Sequence, residues 1–269
     1  MYRLFGIVLL ILATGITACS GSKQNKQKYQ TPQEAFEKGK ALYEKKRYTD
    51  AIEFFKGVFD FGRTNEWADD AQYYLGLSYM GGKDYMVAEQ ELMRFVSLYR
   101  SDPRSIEAEF QRLICYYKLS PTFELDQTDT DRALTNMNIF LQRYPNDDRV
   151  SQISIMIKEL REKLGQKAYE AGKTYERRGY YQAAAHTFEQ VLQNYADTSW
   201  ADNALLGAIR SYVLYAKNSV ESKQAERFDK AITTYNRLVE LYPKSEVLKT
   251  AEVLYMEATT LKSAIKPKS

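Results

Sequence analysis

The sequence predicts an all-α fold, an α-solenoid of about five helix pairs stacked in a row and closed by a C-terminal capping helix. Three observations predict it. The first is the stretch 172–195. Gly172 and Tyr175 sit on one helix, Gly179 and Tyr180 make a turn, and Tyr181, Ala184, Phe188 and Val191 recur at helical spacing on a second helix. Gly172 and Ala184 are small enough to let two backbones approach, and the aromatics fill the space beside them. The second is repetition. Trp67-Ala-Asp-Asp-Ala71 returns as Trp200-Ala-Asp-Asn-Ala204, each followed by a Tyr eight residues on, and Tyr144-Pro145 returns as Tyr242-Pro243, where Pro forbids a helix from continuing. The third is composition: 44% of the 269 residues are hydrophobic, with 22 Tyr but only 13 Gly and 6 Pro, a balance that suits stacked helices better than strands and turns.

The spacing is that of a tetratricopeptide-like unit. One such pair cannot bury its own apolar face and needs stacked neighbours. Before the first unit, Arg3 precedes an apolar run over 4–16 that is too short for a membrane span of ~20 residues. The charge–apolar–small order marks residues 1–18 as a signal peptide. Its end, Ile16-Thr17-Ala18-Cys19, has the form of a lipoprotein cleavage box, which predicts lipidation of Cys19. Each acyl chain contributes ~0.8 kcal/mol per buried CH₂, so a multiply acylated Cys is a firm anchor. Ser20 stands where an Asp would retain such a protein at the inner membrane, so the expected location is the outer membrane, lipid-anchored and facing the periplasm. Residues 19–31 read as a flexible tether, polar and without periodicity.

Thr31, Pro32 and Glu34 open the first helix as cap, first-turn Pro and first-turn acid. Units one to three occupy 32–149, and units four and five with the capping helix occupy 150–265. Unit one runs through Gly39, Tyr48, Ala51, Phe55 and Val58, and unit two through Leu75, Gly76, Tyr79, Ala88, Leu92 and Phe95. Unit three has Leu113, Tyr116, Ala133, Met137 and Phe140. Unit four is the stretch described first, and unit five has Ala204, Ala208, Tyr212, Phe228, Ala231 and Leu238. The second-helix alanines at 51, 88, 133, 184 and 231 are 37, 45, 51 and 47 apart, more than the ~34 of an ideal repeat. The excess is expected in a loop at 120–131, in a helical extension over 150–166 that runs into unit four as one long helix, and at 218–227. A capping helix over 244–261 and a tail ending at 266–269 close the chain.

A formal net charge of +3 with interleaved signs gives no nucleic-acid surface. No catalytic constellation can be nominated, so a non-enzyme is expected, with no cofactor and no metal. The single histidine, His186, lies mid-helix, and Cys115 has no partner once Cys19 is acylated and reads as a small buried residue. Asp69/Asp70 and Asp147/Asp148 fall at helix starts, where acids complement the helix dipole. Trp67 and Trp200 read as staples between units. The functional surface of a solenoid is the concave face formed by first helices. An idealised register points Phe36, Lys40, Tyr43, Tyr73, Leu77, Met80, Phe110, Ile114 and Tyr117 inward in units one to three. In units four and five it points Tyr169, Lys173, Glu176, Leu206, Arg210 and Val213 inward, with Arg177 beside them. The first group is aromatic and apolar, and the second more charged.

Cys19 in its box, five units of this size, the phrase Ser120-Pro-Thr-Phe-Glu-Leu-Asp-Gln-Thr128 and the long helix into Arg177-Arg-Gly-Tyr-Tyr-Gln-Ala-Ala184 together resemble the BamD (YfiO/ComL) family of tetratricopeptide lipoproteins. That family serves the outer-membrane β-barrel assembly machine. The usual Tyr-Pro after unit four is Tyr195-Ala196 here. The resemblance implies a non-catalytic, periplasm-facing scaffold. Its implied partners are the barrel-forming assembly subunit (BamA-like), other assembly lipoproteins and the C-terminal signal of unfolded outer-membrane proteins. On that reading Phe36, Lys40, Tyr43, Tyr73, Leu77, Phe110 and Tyr117 form a substrate groove, and Lys173, Arg177 and Arg210 dock the folded partner. Two other readings compete: a periplasmic tetratricopeptide lipoprotein coordinating cell-envelope or cell-wall processes, and a glycan-binding surface lipoprotein. The first usually carries a coiled coil before fewer, more regular units, and the second is usually longer.

Overall fold

The computed structural model describes residues 28–265. The signal segment, Cys19 and residues 266–269 lie outside the described residues. Eleven α-helices follow one another: α1 Pro32–Glu44, α2 Tyr48–Val58, α3 Ala68–Gly81, α4 Tyr85–Leu98, α5 Ser105–Leu119, α6 Thr128–Arg143, α7 Val150–Arg177, α8 Tyr181–Tyr195, α9 Ala201–Lys217, α10 Glu221–Leu241 and α11 Leu248–Ala264. A 3₁₀ turn, Phe59–Phe61, follows α2. The helices pair as five units plus a single last helix. Consecutive first helices touch one another (α1 with α3, α7 with α9, α9 with α11), which puts them on the inner row.

Local chemistry explains the elements. The Thr31 hydroxyl accepts from the Glu34 amide, and Pro32 supplies the first helical residue. The turn inside units one, two and four is one device used three times. A residue with positive φ (Lys46 +58°, Lys83 +65°, Gly179 +78°) ends the first helix. The next amide then reaches back five residues, from Arg47 to Leu42, Asp84 to Tyr79 and Tyr180 to Tyr175. Tyr144 and Tyr242 close α6 and α10 immediately before their prolines.

Units are joined by a second recurrent device. The amides of Asp102, Asp147, Thr198 and Ser245 donate to the carbonyls of Tyr99, Tyr144, Tyr195 and Tyr242, three residues back. Asp102 and Asp147 then cap the Arg104 and Arg149 amides (2.7 and 2.9 Å) and hold both guanidinium groups. Each arginine reaches back to the first turn of the preceding first helix, Arg104 to Asp70 and Arg149 to Glu107. Ser245 does the same to Asp202 at 2.6 Å. Asp147 thus serves Arg149 more than a helix dipole.

The core is continuous because its clusters cross unit boundaries. Ala35, Ala51, Phe55 and Val58 pack with Ala71 and Leu75 of the next unit, and Phe110, Met137 and Phe140 pack with Ile153, Met156 and Leu160 of α7. The apolar residues over 150–166 therefore complete unit three before α7 enters unit four. Cys115 is fully buried, and burial pushes its thiol up to about 12, so it is inert. The last helix is a true cap. Leu205, Ile209 and Val213 of α9 are at most 1% exposed, and the matching positions of α11 are Glu252, Met256 and Thr260, all open to solvent.

Two expected boundaries shift, and one expected insertion takes a definite form. The loop expected at 120–131 is shorter, since α6 begins at Thr128, where Asp126 caps the Thr128 amide. The extra residues over 218–227 lengthen unit five as expected and do so mostly as helix, because α10 begins at Glu221. Residues 28–30, expected within the tether, are packed on unit one, with Tyr29 against Phe54 and Phe61.

Candidate functional site

The inner row does not treat the expected groove residues alike. Phe36 is 5% exposed, held among Phe55, Trp67 and Tyr74 at 5.2–5.8 Å between ring centroids. Phe110 is 6% exposed under the Arg149 guanidinium, 5.3 Å from its ring. Both rings are spent on joining units, because the register cannot separate a residue facing the groove from one facing the neighbouring unit. They are corrected from groove-lining to core.

What remains open is a strip of tyrosines. Tyr43 lies edge-on to Tyr74 at 5.4 Å, and Tyr74 lies edge-on to Tyr73 at 5.7 Å. Tyr48 closes the other side of Tyr43 at 5.7 Å. All are half-buried, and Leu77 continues the strip along α3. The exposed Lys40 places its ammonium 5.8 Å over Tyr74. Burial raises Tyr43, and burial followed by the Glu107 carboxylate pushes Tyr73 up to about 12. Both phenols are therefore neutral donors at any physiological pH. Tyr74, the centre of the strip, was not singled out in the sequence; the Tyr73-Tyr74 doublet was the signal. Tyr117 stands apart, its hydroxyl donating to Glu159 of α7.

The charged half is also partly self-engaged. Arg210 makes two 2.8 Å bonds to the Glu176 carboxylate, which also accepts from Ser211. It is an inter-unit staple that still leaves 39% of its side chain exposed. Lys173 pairs with Glu170 at 2.8 Å, and Arg177 is exposed, donating to the Thr174 hydroxyl at 3.2 Å and to no carboxylate among the described residues. Beside Arg177, the α7–α8 turn opens a cleft of about 870 Å³ lined by Tyr180, Tyr181, Gln182, His186, Tyr215 and Asn218. Tyr180 is 60% exposed there. The Tyr215 hydroxyl donates to Gln182 at 2.7 Å, and Arg227 covers its ring at 3.8 Å. His186 is exposed against Gln190.

Trp67 and Trp200 do act between elements, packed with tilted rings at 5.2 Å against Phe36 and 5.3 Å against Tyr169. Among the described residues no group of three or more His, Cys, Asp or Glu could hold a metal, and no helix is long and apolar enough to cross a membrane. A second cleft, of about 630 Å³ and lined in part by Glu109, Arg112 and Arg143, carries charges that pair internally: Arg143 with Glu109, and Arg112 with Glu89.

Two proteins named outer membrane protein assembly factor BamD are similar to this chain. The one from Caulobacter vibrioides is 25% identical over 233 residues, 86% of this chain and 75% of that protein. The one from Rickettsia prowazekii is 24% identical over 206 residues, 77% of this chain and 82% of that protein. A solved tetratricopeptide repeat protein from Bacteroides fragilis overlies 87% of the chain with 12% identity and a TM-score of 0.44. Residues 28–227, about three-quarters of the sequence, match the family described as YfiO, outer membrane lipoprotein, and the chain belongs to that family.

Proposed function

We propose that this protein is a non-catalytic scaffold of the outer-membrane β-barrel assembly machinery, anchored through Cys19 and facing the periplasm. Units one to three hold the C-terminal segment of an unfolded outer-membrane protein, and units four and five dock the folded barrel-forming subunit. The observation that carries this reading is the Tyr43–Tyr74–Tyr73 strip with Lys40 above it. Half-buried neutral phenols offer apolar faces and hydroxyl donors to an extended peptide ending in an aromatic residue, at about 25 cal/mol per Å² of apolar area covered. Lys40 supplies the countercharge for the terminal carboxylate. At the other end, Arg177 beside the Tyr180–His186 cleft suits a folded partner with acidic side chains around an apolar anchor. The names of the two relatives support the role in outer-membrane protein assembly.

The test compares Tyr43→Ala/Tyr73→Ala with Arg177→Glu/Tyr180→Ala, each shown to be folded by circular dichroism. The first should lose a C-terminal barrel peptide and keep the periplasmic part of the barrel-forming subunit, and the second should do the reverse. Equal loss of both ligands by both variants, or no loss by either, overturns the division.

A further inference from the structure

The junction between units two and three is built unlike the same junction between units four and five. The turns fix the comparison, because the Asp102 amide donates to Tyr99 as the Thr198 amide donates to Tyr195. Counted from those turns, Leu192 stands where unit two has Val96, Leu205 where α5 has Glu109, and Ala208 where α5 has Arg112. Leu192 and Leu205 are buried in one cluster with Leu238 of α10, so apolar packing closes the later junction. The earlier one holds the cleft of about 630 Å³. Its floor is α5, one wall is the end of α4 with Arg100, and the other wall is α6 from Asn136 to Arg143.

The charge that this cleft shows to solvent is positive, because its carboxylates are sunk. The side chains of Asp102 and Glu109, and of Glu89 bonded to Arg112 of the floor, are 11, 14 and 5% exposed. Each is already held by an arginine: Asp102 by Arg104 at 2.7 Å, Glu109 by Arg143 at 2.9 Å and Glu89 by Arg112 at 2.7 Å, with Arg132 at 4.0 Å as a second cation on Glu89. The guanidinium groups stay outside. Arg132 and Arg143 are 56 and 55% exposed, and Arg100 is exposed and meets no carboxylate among the described residues. Asp129 stands at the opposite end of α6 from Arg143. Val96, Ile106, Ile139 and Tyr144 add apolar surface, with Ile139 45% exposed.

We propose that this cleft binds an acidic peptide segment of a partner protein, with carboxylates on Arg100 and Arg143 and an apolar side chain over Val96 and Ile139. Asn136 to Arg143 spans about 10 Å along α6, room for about three extended residues. The sunk carboxylate of Glu109 orients the Arg143 guanidinium before any ligand arrives, which lowers the ordering cost of binding. Its remaining N–H donors suit a second carboxylate. Apolar contact supplies affinity, and the exposed cations select an acidic partner over a basic one. The walls of the cleft are second helices, whereas the Tyr43–Tyr74–Tyr73 strip lies on α1 and α3 of the inner row. The two sites can therefore be occupied together, and this one does not depend on what the strip binds.

The experiment titrates the full chain in detergent with short, end-capped fluorescent peptides that share their leucines and carry Glu, Gln or Lys between them, read by anisotropy. The Glu peptide should bind, the Gln peptide should bind several-fold more weakly, and the Lys peptide should not bind. Arg100→Gln with Arg143→Gln should weaken the Glu peptide several-fold. Ser97→Trp, at an exposed lining position, fills the cleft without changing charge and should weaken the Glu and Gln peptides alike. Two controls act elsewhere: Lys45→Gln with Lys46→Gln at the α1–α2 turn, and Tyr43→Ala with Tyr73→Ala on the inner strip. Both should bind the Glu peptide as the wild type does, and every variant is first shown to be folded by circular dichroism. No binding of the Glu peptide by the wild type overturns the proposal. Equal weakening by the lysine and arginine pairs reduces the effect to net charge and overturns it too, as does a loss confined to the tyrosine pair, which would move the peptide to the inner strip.

Discussion

Gly172 lies under the ring of Phe188, so close that a Cβ at 172 would come within 2.7 Å of two ring carbons. The same relation joins Gly39 to Phe55 (2.9 Å) and Gly76 to Leu92 (2.7 Å), each pair sixteen residues apart. This contact sets the distance between the two helices of a unit. In unit four the ring is also boxed from the far side, where a Cβ at Gly207 would meet it at 2.8 Å.

Gly172→Ala is therefore expected to destabilise the protein. Alanine gains up to ~1 kcal/mol of helix propensity over glycine. Overpacking against a ring that cannot retreat costs ~1–3 kcal/mol, so a net loss of up to about 2 kcal/mol follows. A urea melt checks it, and an unchanged midpoint would show that the α7–α8 crossing can loosen.

Lys83 should be improved by the opposite change. Its φ of +65° is the left-handed conformation that Gly179 fills in unit four. A non-glycine residue there costs ~1–2 kcal/mol, while glycine costs ~0.5–1 kcal/mol of chain entropy. Lys83→Gly is expected to stabilise by about 0.5–1 kcal/mol, read as a higher melting temperature, and Gly179→Ala to destabilise by a similar amount.

The Asp147–Arg149 staple makes stability sensitive to acid. Hydrogen bonds from Arg149 hold the Asp147 carboxyl down at about 2, against an ordinary 3.8. A carboxyl depressed in the fold contributes its full stabilisation above the ordinary value and loses it as pH falls toward the folded value. The stability difference between the wild type and Asp147→Asn should be constant above about pH 5 and shrink between about pH 4 and pH 2. Denaturant melts across that range test it, and a difference that does not change with pH would remove the carboxylate from the account.

The architecture was legible because it rests on short-range pattern. The Ala and Phe ladders, the prolines at 145 and 243 and the long helix through 150–177 all follow from spacing within one element. The inter-unit staples were not legible, since Arg104 meets Asp70 and Arg149 meets Glu107 across 34 and 42 residues, and single residues do not name a partner at that distance. The placement of the inner-row side chains was half legible. Tyr43 and Tyr73 lie on the open strip, whereas Phe36 and Phe110 belong to the core, because inner-row residues face either a partner or the next unit and their residue type is the same. Nothing in 19–31 is periodic, so the sequence gives no sign that Tyr29 is held, and its binding place, Gly57, lies on α2, 28 residues on.

Lys40 provides the sharpest test of the peptide reading. It is exposed, lies over the Tyr74 ring and pairs with no carboxylate among the described residues. If it meets the terminal carboxylate of a bound barrel peptide, Lys40→Met should weaken a peptide with a free C-terminus but not the same peptide amidated. An exposed pair is worth ~0.2–1 kcal/mol, so the expected loss is about 1.5–5-fold in affinity. The loss should fade as salt rises, because such a pair is screened within ~10 Å at 0.1 M. Tyr43→Ala, in contrast, should weaken both peptides equally and with little salt dependence, since it removes apolar contact. Isothermal titration of the four pairings gives the coupling directly. If Lys40→Met weakens the amidated peptide as much as the free one, the ammonium serves only to cover Tyr74, and the carboxylate is held elsewhere.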